Sequence, residues 1–224
     1  MKNSKEYAQE IRKLHRALKR KYPKPVQPVY EDPIEAVVYA ILSAELTKPE
    51  TEAALKRFSN YFVDLNDLRV SRAEEIVDLL GDDSPTGRDI AMSLTRALGS
   101  VYNKYHTVSL RSLTKIGKKP ARQILEKFNG VNEYVIDYCM LTALQGHAIP
   151  LTRRMTQHLT SNNFVDPEAD EQQIKGFLAR QISARNAYEF YALLKRAGES
   201  PAATRKKKVS RKKKTVKKTT KRKK

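Results

Sequence analysis

Apolar residues recur along most of this chain at intervals of three and four, the spacing that lines one face of an α-helix. Residues 5–21 place Ile11, Leu14 and Leu18 on one face, with lysines and arginines elsewhere, which predicts an amphipathic helix. The stretch KYPKPVQPVY ends it, because proline cannot continue a helix and restricts the residue before it. Asp32-Pro33-Ile34-Glu35 then supplies an N-cap acceptor, a first-turn proline and a capping-box glutamate. The helix opened there, through EAVVYAILSAE, is apolar enough to be central to the core. The same start signal recurs as Thr47 with Glu50, as Ser71 with Glu74 and as Asp170 with Gln173. Further helices are predicted at about 87–104, 120–128, 133–145, 152–160 and 184–197. No segment alternates apolar and polar residues between hairpin signals, and no fixed-period repeat runs through the chain. The predicted class is therefore all-α, with roughly ten short helices in a domain covering residues 1–199.

Composition narrows the partners. The chain has 224 residues, of which 40% are hydrophobic and 31% charged, enough to bury a sizeable core. Its longest apolar run, Ala36 to Leu42, is far short of the ~20 residues a spanning helix needs, so no membrane partner is expected. The N-terminus has no apolar leader and the single Cys139 cannot close an intramolecular disulfide. Both point to a reducing compartment: cytoplasm and nucleoid, or the nucleus in a eukaryote. One cysteine also excludes a four-thiolate cluster, and His147 and His158 have no carboxylate or thiol at ligand spacing. Neither a metal nor another cofactor is expected.

The formal charge of +19 is concentrated at one end. Arg205 to Lys224 carries 14 lysines and arginines and no acid, leaving +5 on the rest. A run that repels itself and has no apolar face to bury should stay extended, so residues 200–224 read as a disordered tail beginning at Ser200-Pro201. Lys206, Lys207, Lys208, Lys212, Lys213 and Lys214 are candidate phosphate contacts, each neutralised phosphate releasing condensed counterions. A nucleic acid, DNA or RNA, is the expected polyanion, with anionic lipid, a solubilising role or a nuclear address as the alternatives.

A second phosphate site is suggested by PARQILEKF-NGV-NEYVIDYCMLTAL, which reads as two helices joined by a tight turn. Gly130 can take a positive φ and reverse the chain. The turn residues Asn129, Gly130, Val131 and Asn132 would then present backbone N–H groups at the positive end of the following helix. An ordinary helical hairpin without a ligand would read the same way.

Phe128 to Ile136, followed by Pro150-Leu151-Thr152-Arg153-Arg154, resembles the helix-hairpin-helix of the endonuclease III (HhH-GPD) DNA glycosylase superfamily. That family's pattern is roughly Leu-Pro-Gly-Val-Gly-x-Lys-Thr-Ala, then Pro-Val-Asp-Thr-His after a helix. Upstream, EDPIEAVVYAILSAELTKPETEAALKRF resembles the family's helix pair around Leu-Ser-x-Gln, and the likeness covers about residues 28–197. It implies a two-lobed helical fold that holds DNA by its backbone, and a link to base excision repair.

The signature side chains differ. In the family's bifunctional members a lysine attacks the sugar C1′ as a neutral amine, and an aspartate 18 residues later assists. The same spacing here joins Tyr134 to Thr152. A phenol with a pKa of about 10 forms no imine, and a threonine hydroxyl cannot stabilise an oxocarbenium charge as a carboxylate does. Glu45 stands where relatives place a glutamine wedge, and the four-cysteine loop is absent. Arg153 and Arg154 replace residues that face the lesion pocket in relatives and could hold a phosphate. The expectation is a DNA-binding protein of this fold without N-glycosylase or lyase chemistry. A rival register pairs LTKIGKKPA with the same pattern, making Lys119 and Asp137 the amine and acid, with Glu133 nearby, in an active enzyme. A third reading is an RNA-associated or interaction scaffold.

Overall fold

The computed structural model describes residues 4–200; the basic run and its predicted phosphate contacts lie outside them. Eleven α-helices and one 3-10 turn make up the described residues, with no strand among them. Helix α1 (Ser4–Lys21) buries Ile11, Leu14 and Leu18 as its period requires. An extended strap, residues 22–32, leads to α2 (Pro33–Glu45), which starts where the Asp-Pro signal placed it. The Asp32 carboxylate accepts from Ile34 N at 3.1 Å and from Leu110 N at 2.8 Å. One N-cap thus also fixes the loop that enters the 3-10 turn Arg111–Lys115.

Helix α3 (Lys48–Tyr61) opens on the Thr47–Glu50 capping box. The Ser71–Glu74 signal does not cap a helix in this way. Asp64 caps a short helix the pattern had not suggested, α4 (Leu65–Val70), and Ser71 ends it by donating to Asp67 O at 2.9 Å. Helix α5 (Ala73–Leu80) then begins after Arg72 and stops at Gly81 in the left-handed region. Helix α6 (Pro85–Tyr105) follows, capped by Ser84, and packs on α4, α5 and α2. The remaining helices are α7 (Lys118–Leu125), α8 (Glu133–Thr142), α9 (Arg153–Ser161), α10 (Glu171–Gln181) and α11 (Ala184–Glu199). The Asp170 carboxylate caps α10 by accepting from Gln173 N at 2.7 Å, as its sequence signal predicts.

Two groups of helices emerge from the packing. Helices α2 to α6 form one lobe, and α1, α9, α10 and α11 form the other. Helix α8 joins them, lying against α2 on one side and α11 on the other, with α7 alongside. Every residue from Tyr134 to Thr142 is buried. A helix apolar on all sides must be enclosed on all sides, and that enclosure is what holds the lobes together.

The turn between α7 and α8 depends on Gly130. Its φ is +80°, and a Cβ there would sit 2.5 Å from Ser93 O and 3.1 Å from Ala97 N of α6. Conformation and close approach both require glycine, so Gly130→Ala should destabilise the fold by roughly 2 kcal/mol or more. Thermal or urea unfolding measures that loss; Gly81→Ala, with no atom within 4 Å of its Cβ, separates the φ strain from the clash.

Candidate nucleic-acid interface and adjoining cavity

The hairpin places its polar atoms unevenly. Phe128 is buried, whereas Asn129 and Asn132 are exposed and Gly130 and Val131 half-buried. Several turn amides are used internally: Lys127 N donates to Ile124 O, Phe128 N to Leu125 O, Val131 N to Phe128 O and Asn129 N to Ser100 Oγ. Asn132 is the N-cap of α8, its side chain accepting from Val135 N at 3.0 Å. The amides of Gly130 and Asn132 have no hydrogen-bond acceptor among the described residues. Both residues line, at the positive end of α8, a depression of about 150 Å³ that Glu45, Asp89 and Ser93 also line. Glu45 is exposed at the C-terminal end of α2 and brings a carboxylate beside the turn.

Tyr134 and Thr152 are both structural in their contacts. Thr152 is a buried N-cap of α9, accepting from Met155 N at 3.3 Å. Tyr134 is buried, and its hydroxyl lies 2.7 Å from the Tyr191 hydroxyl and 3.1 Å from Ser43 Oγ. Burial pushes its pKa up, so the phenol remains protonated. Arg153 and Arg154 are exposed on the first turn of α9. That turn lies against Gly198 of α11, whose Cβ position is 3.3 Å from Arg154 O.

The rival register falls on α7 and α8. Gly117 caps α7 with φ −64°, preceded by a 3-10 turn, so no second helical hairpin forms around residues 113–121. Lys119 is exposed on α7. Asp137 is buried and already paired, with Arg122 Nη1 at 2.8 Å and Lys175 Nζ at 3.1 Å. Arg122 also reaches Glu133 and Glu126, so this network ties α7 to α8, and Lys175 adds α10.

What the sequence reading did not find is a cavity of about 770 Å³ between the lobes. The strap residues Tyr22 to Val26 close one side, Tyr39 of α2 and Thr47 to Pro49 another, and Tyr138, Tyr188 and Tyr191 a third. Tyr39 stacks on Tyr138 with centroids 5.3 Å apart, and Tyr138 meets Tyr191 edge-on at 5.7 Å. The Tyr138 hydroxyl in turn bonds that of Tyr30 on the strap at 2.8 Å.

Lys195 of α11 lines this cavity and is 7% exposed. Its ammonium donates to Ser43 O, near the negative end of α2, and lies 3.3 Å from the Tyr134 hydroxyl. The Glu199 carboxylate is 3.8 Å away. Burial dominates and brings the lysine pKa down to about 8; Glu199 opposes that shift and the Arg154 charge adds to it. A signal for this placement exists in AYEFYALLKRAGE, where Tyr188, Tyr191 and Lys195 share a helical face with buried Leu194. Cys139, by contrast, is a buried thiol with its pKa pushed up to about 12 by desolvation, and it is chemically quiet.

No family model matches the chain, and no curated protein sequence matches it. Solved structures do. An endonuclease III–DNA covalent intermediate superposes with a TM-score of 0.65 at 16% identity over 84% of each chain. A thermostable thymine-DNA glycosylase matches at TM-score 0.62 and 14% identity, over 91% of this chain and 89% of the other. The 8-oxoguanine glycosylase/lyase of Clostridium acetobutylicum, solved with double-stranded DNA, gives 0.62 and 18%, over 85% and 69%. The chain therefore has the all-helical fold of the endonuclease III-type DNA glycosylases.

The paired Asp137 predicts a stability role. Asp137→Asn leaves Arg122 and Lys175 facing a neutral amide and should cost roughly 3 kcal/mol in urea unfolding. Lys119→Ala, at an exposed site, should change stability by less than about 0.5 kcal/mol.

Proposed function

We propose that this protein binds duplex DNA, mainly by its backbone, as a member of the endonuclease III/DNA glycosylase superfamily that has lost the lysine and aspartate chemistry of its relatives. The observation that carries the reading is the α7–α8 turn: a glycine-dependent reversal that leaves two amides free at the positive end of a buried helix. Fold likeness to structures solved with DNA supports it, and so does the basic run of residues 205–224. The hairpin fixes orientation; the run of lysines adds a sequence-independent, long-range attraction that permits sliding. Arg153 and Arg154, exposed at the start of α9, offer two further cations.

Loss of the relatives' chemistry rests on Tyr134 and Thr152. One is bonded into a tyrosine and serine cluster and the other caps a helix, and neither can act as an amine or a carboxylate. The alternative amine and acid, Lys119 and Asp137, are respectively exposed and paired to two cations. A role in base excision repair rests on the fold likeness.

Salt dependence tests the proposal. The slope of log affinity for duplex DNA against log salt, measured with and without residues 204–224, should fall in magnitude by about 0.9 for each phosphate contact removed. Residual affinity of the truncated protein reports on the hairpin. An unchanged slope refutes the role of the tail, and preference for structured RNA at matched salt assigns the chain to RNA.

A further inference from the structure

The strap between α1 and α2 carries an apolar edge that the DNA-binding role does not use. From Tyr22 to Tyr30 it reads YPKPVQPVY. Prolines 23, 25 and 28 fix their own φ, and they hold Tyr22, Lys24 and Gln27, the residues before them, out of the helical region. Among the described residues no backbone–backbone hydrogen bond involves residues 23–31. Burial along the strap repeats every third residue. Tyr22, Pro25 and Pro28 are half-buried against the body, whereas Pro23, Lys24, Val26, Gln27 and Val29 are exposed. A period of three belongs to the polyproline II helix, since a β-strand alternates by two. The strap is therefore a polyproline II segment with one of its three faces on the protein.

Both ends and the middle of this segment are tied down. Tyr22 N donates to Leu18 O at 3.0 Å, the Tyr188 hydroxyl donates to Val26 O at 3.0 Å, and the Tyr30 and Tyr138 hydroxyls lie 2.8 Å apart. A partner would meet a backbone already ordered, which lowers the entropy lost on binding. Although Tyr22 to Val26 border the cavity, Val26 is 89% exposed and Val29 93%. Standing three apart, Pro23, Val26 and Val29 share one edge, which at ~3.1 Å per residue is about 19 Å long. Charge gives that edge a direction. No acid lies between Ile11 and Tyr30, and Arg20, Lys21 and Lys24 are exposed at its N-terminal end.

We propose that the strap is a docking ligand for a protein module that reads polyproline II segments through a groove lined with aromatic rings and ending in carboxylates. The rings receive Pro23, Val26 and Val29, and the carboxylates meet Arg20, Lys21 and Lys24, which sets the orientation of the bound strap. Addition of the strap to a sheet edge fits less well. A ladder uses the N–H groups of alternate residues, and Pro23 and Pro25 remove donors from one set and Pro28 from the other. A nucleic acid would suit the three cations but would leave two valines facing phosphates.

The test uses the full chain with its valine methyl groups isotopically labelled. Purified SH3 and WW domains, chosen to include grooves with acidic ends, are added to it in turn. The expected result is that at least one of them moves the Val26 and Val29 methyl resonances saturably. Val63, 94% exposed between α3 and α4, stays where it is. Val26→Glu combined with Val29→Glu weakens that binding at least about tenfold, and Lys24→Glu weakens it and flattens its dependence on salt. All three positions are exposed, so the fold is spared, and Val63→Glu leaves the affinity unchanged. No movement of Val26 and Val29 with any domain overturns the proposal. So does movement of Val63 to the same extent, which marks non-specific apolar contact. Movement of the two strap valines on adding duplex DNA, with none from the domains, overturns it as well and assigns the strap to nucleic acid.

Discussion

Enclosure of α8 is the constraint on which the rest of the structure depends. Its ten residues, Glu133–Thr142, carry tyrosines, aliphatic residues, a cysteine and one aspartate, and all but the first are buried. Burying a helix on every side demands a separate solution for each polar group it takes inside. Asp137 is met by Arg122 and Lys175, Tyr134 by Ser43 and Tyr191, Tyr138 by Tyr30, and Thr142 Oγ1 by the Tyr138 carbonyl. These bonds reach α7, α10, α2, α11 and the strap, so satisfying one helix aligns most of the molecule. Only the N-terminus of α8 escapes, and it emerges at the Gly130 turn with its dipole facing outward.

That arrangement separates two kinds of recognition. The end of α8 offers backbone amides, which suit a phosphate and carry no sequence information. The flank of α8 offers Tyr138 to a cavity whose walls come from both lobes. Glu45 and Asp89, on the depression beside the turn, set a limit on how closely phosphates approach there without a compensating charge. The lysine run of residues 205–224 is one source of that compensation.

Local signals were legible and remote ones were not. Asp32-Pro33, Thr47 with Glu50, and Asp170 with Gln173 each marked a helix start, because a cap is a contact between residues two or three apart. Ser71 with Glu74 misled for the same reason: Asp64 and Asp67, a few residues earlier, had already claimed Ser71 for the end of a six-residue helix too short to show a period. Gly130 was recognisable as a reversal, but its approach to Ser93 and Ala97 was not, since those lie over thirty residues away. The cavity escaped for that reason on a larger scale: the strap, α2, α3, α8 and α11 come together only in the fold. The placement of Lys195 was legible only in its spacing from Tyr188 and Tyr191, which puts it on the buried face of α11.

In the proposed function, the free amides at the start of α8 are where DNA is held. Backbone amide shifts of the isotopically labelled protein, followed as a short duplex is added at moderate salt, test it most directly. The account predicts that the amides of Gly130 and Asn132 move early and saturably, with those of Asn129 and Val131 beside them. Binding that shifts amides elsewhere in the folded domain and leaves residues 129–132 untouched would contradict it.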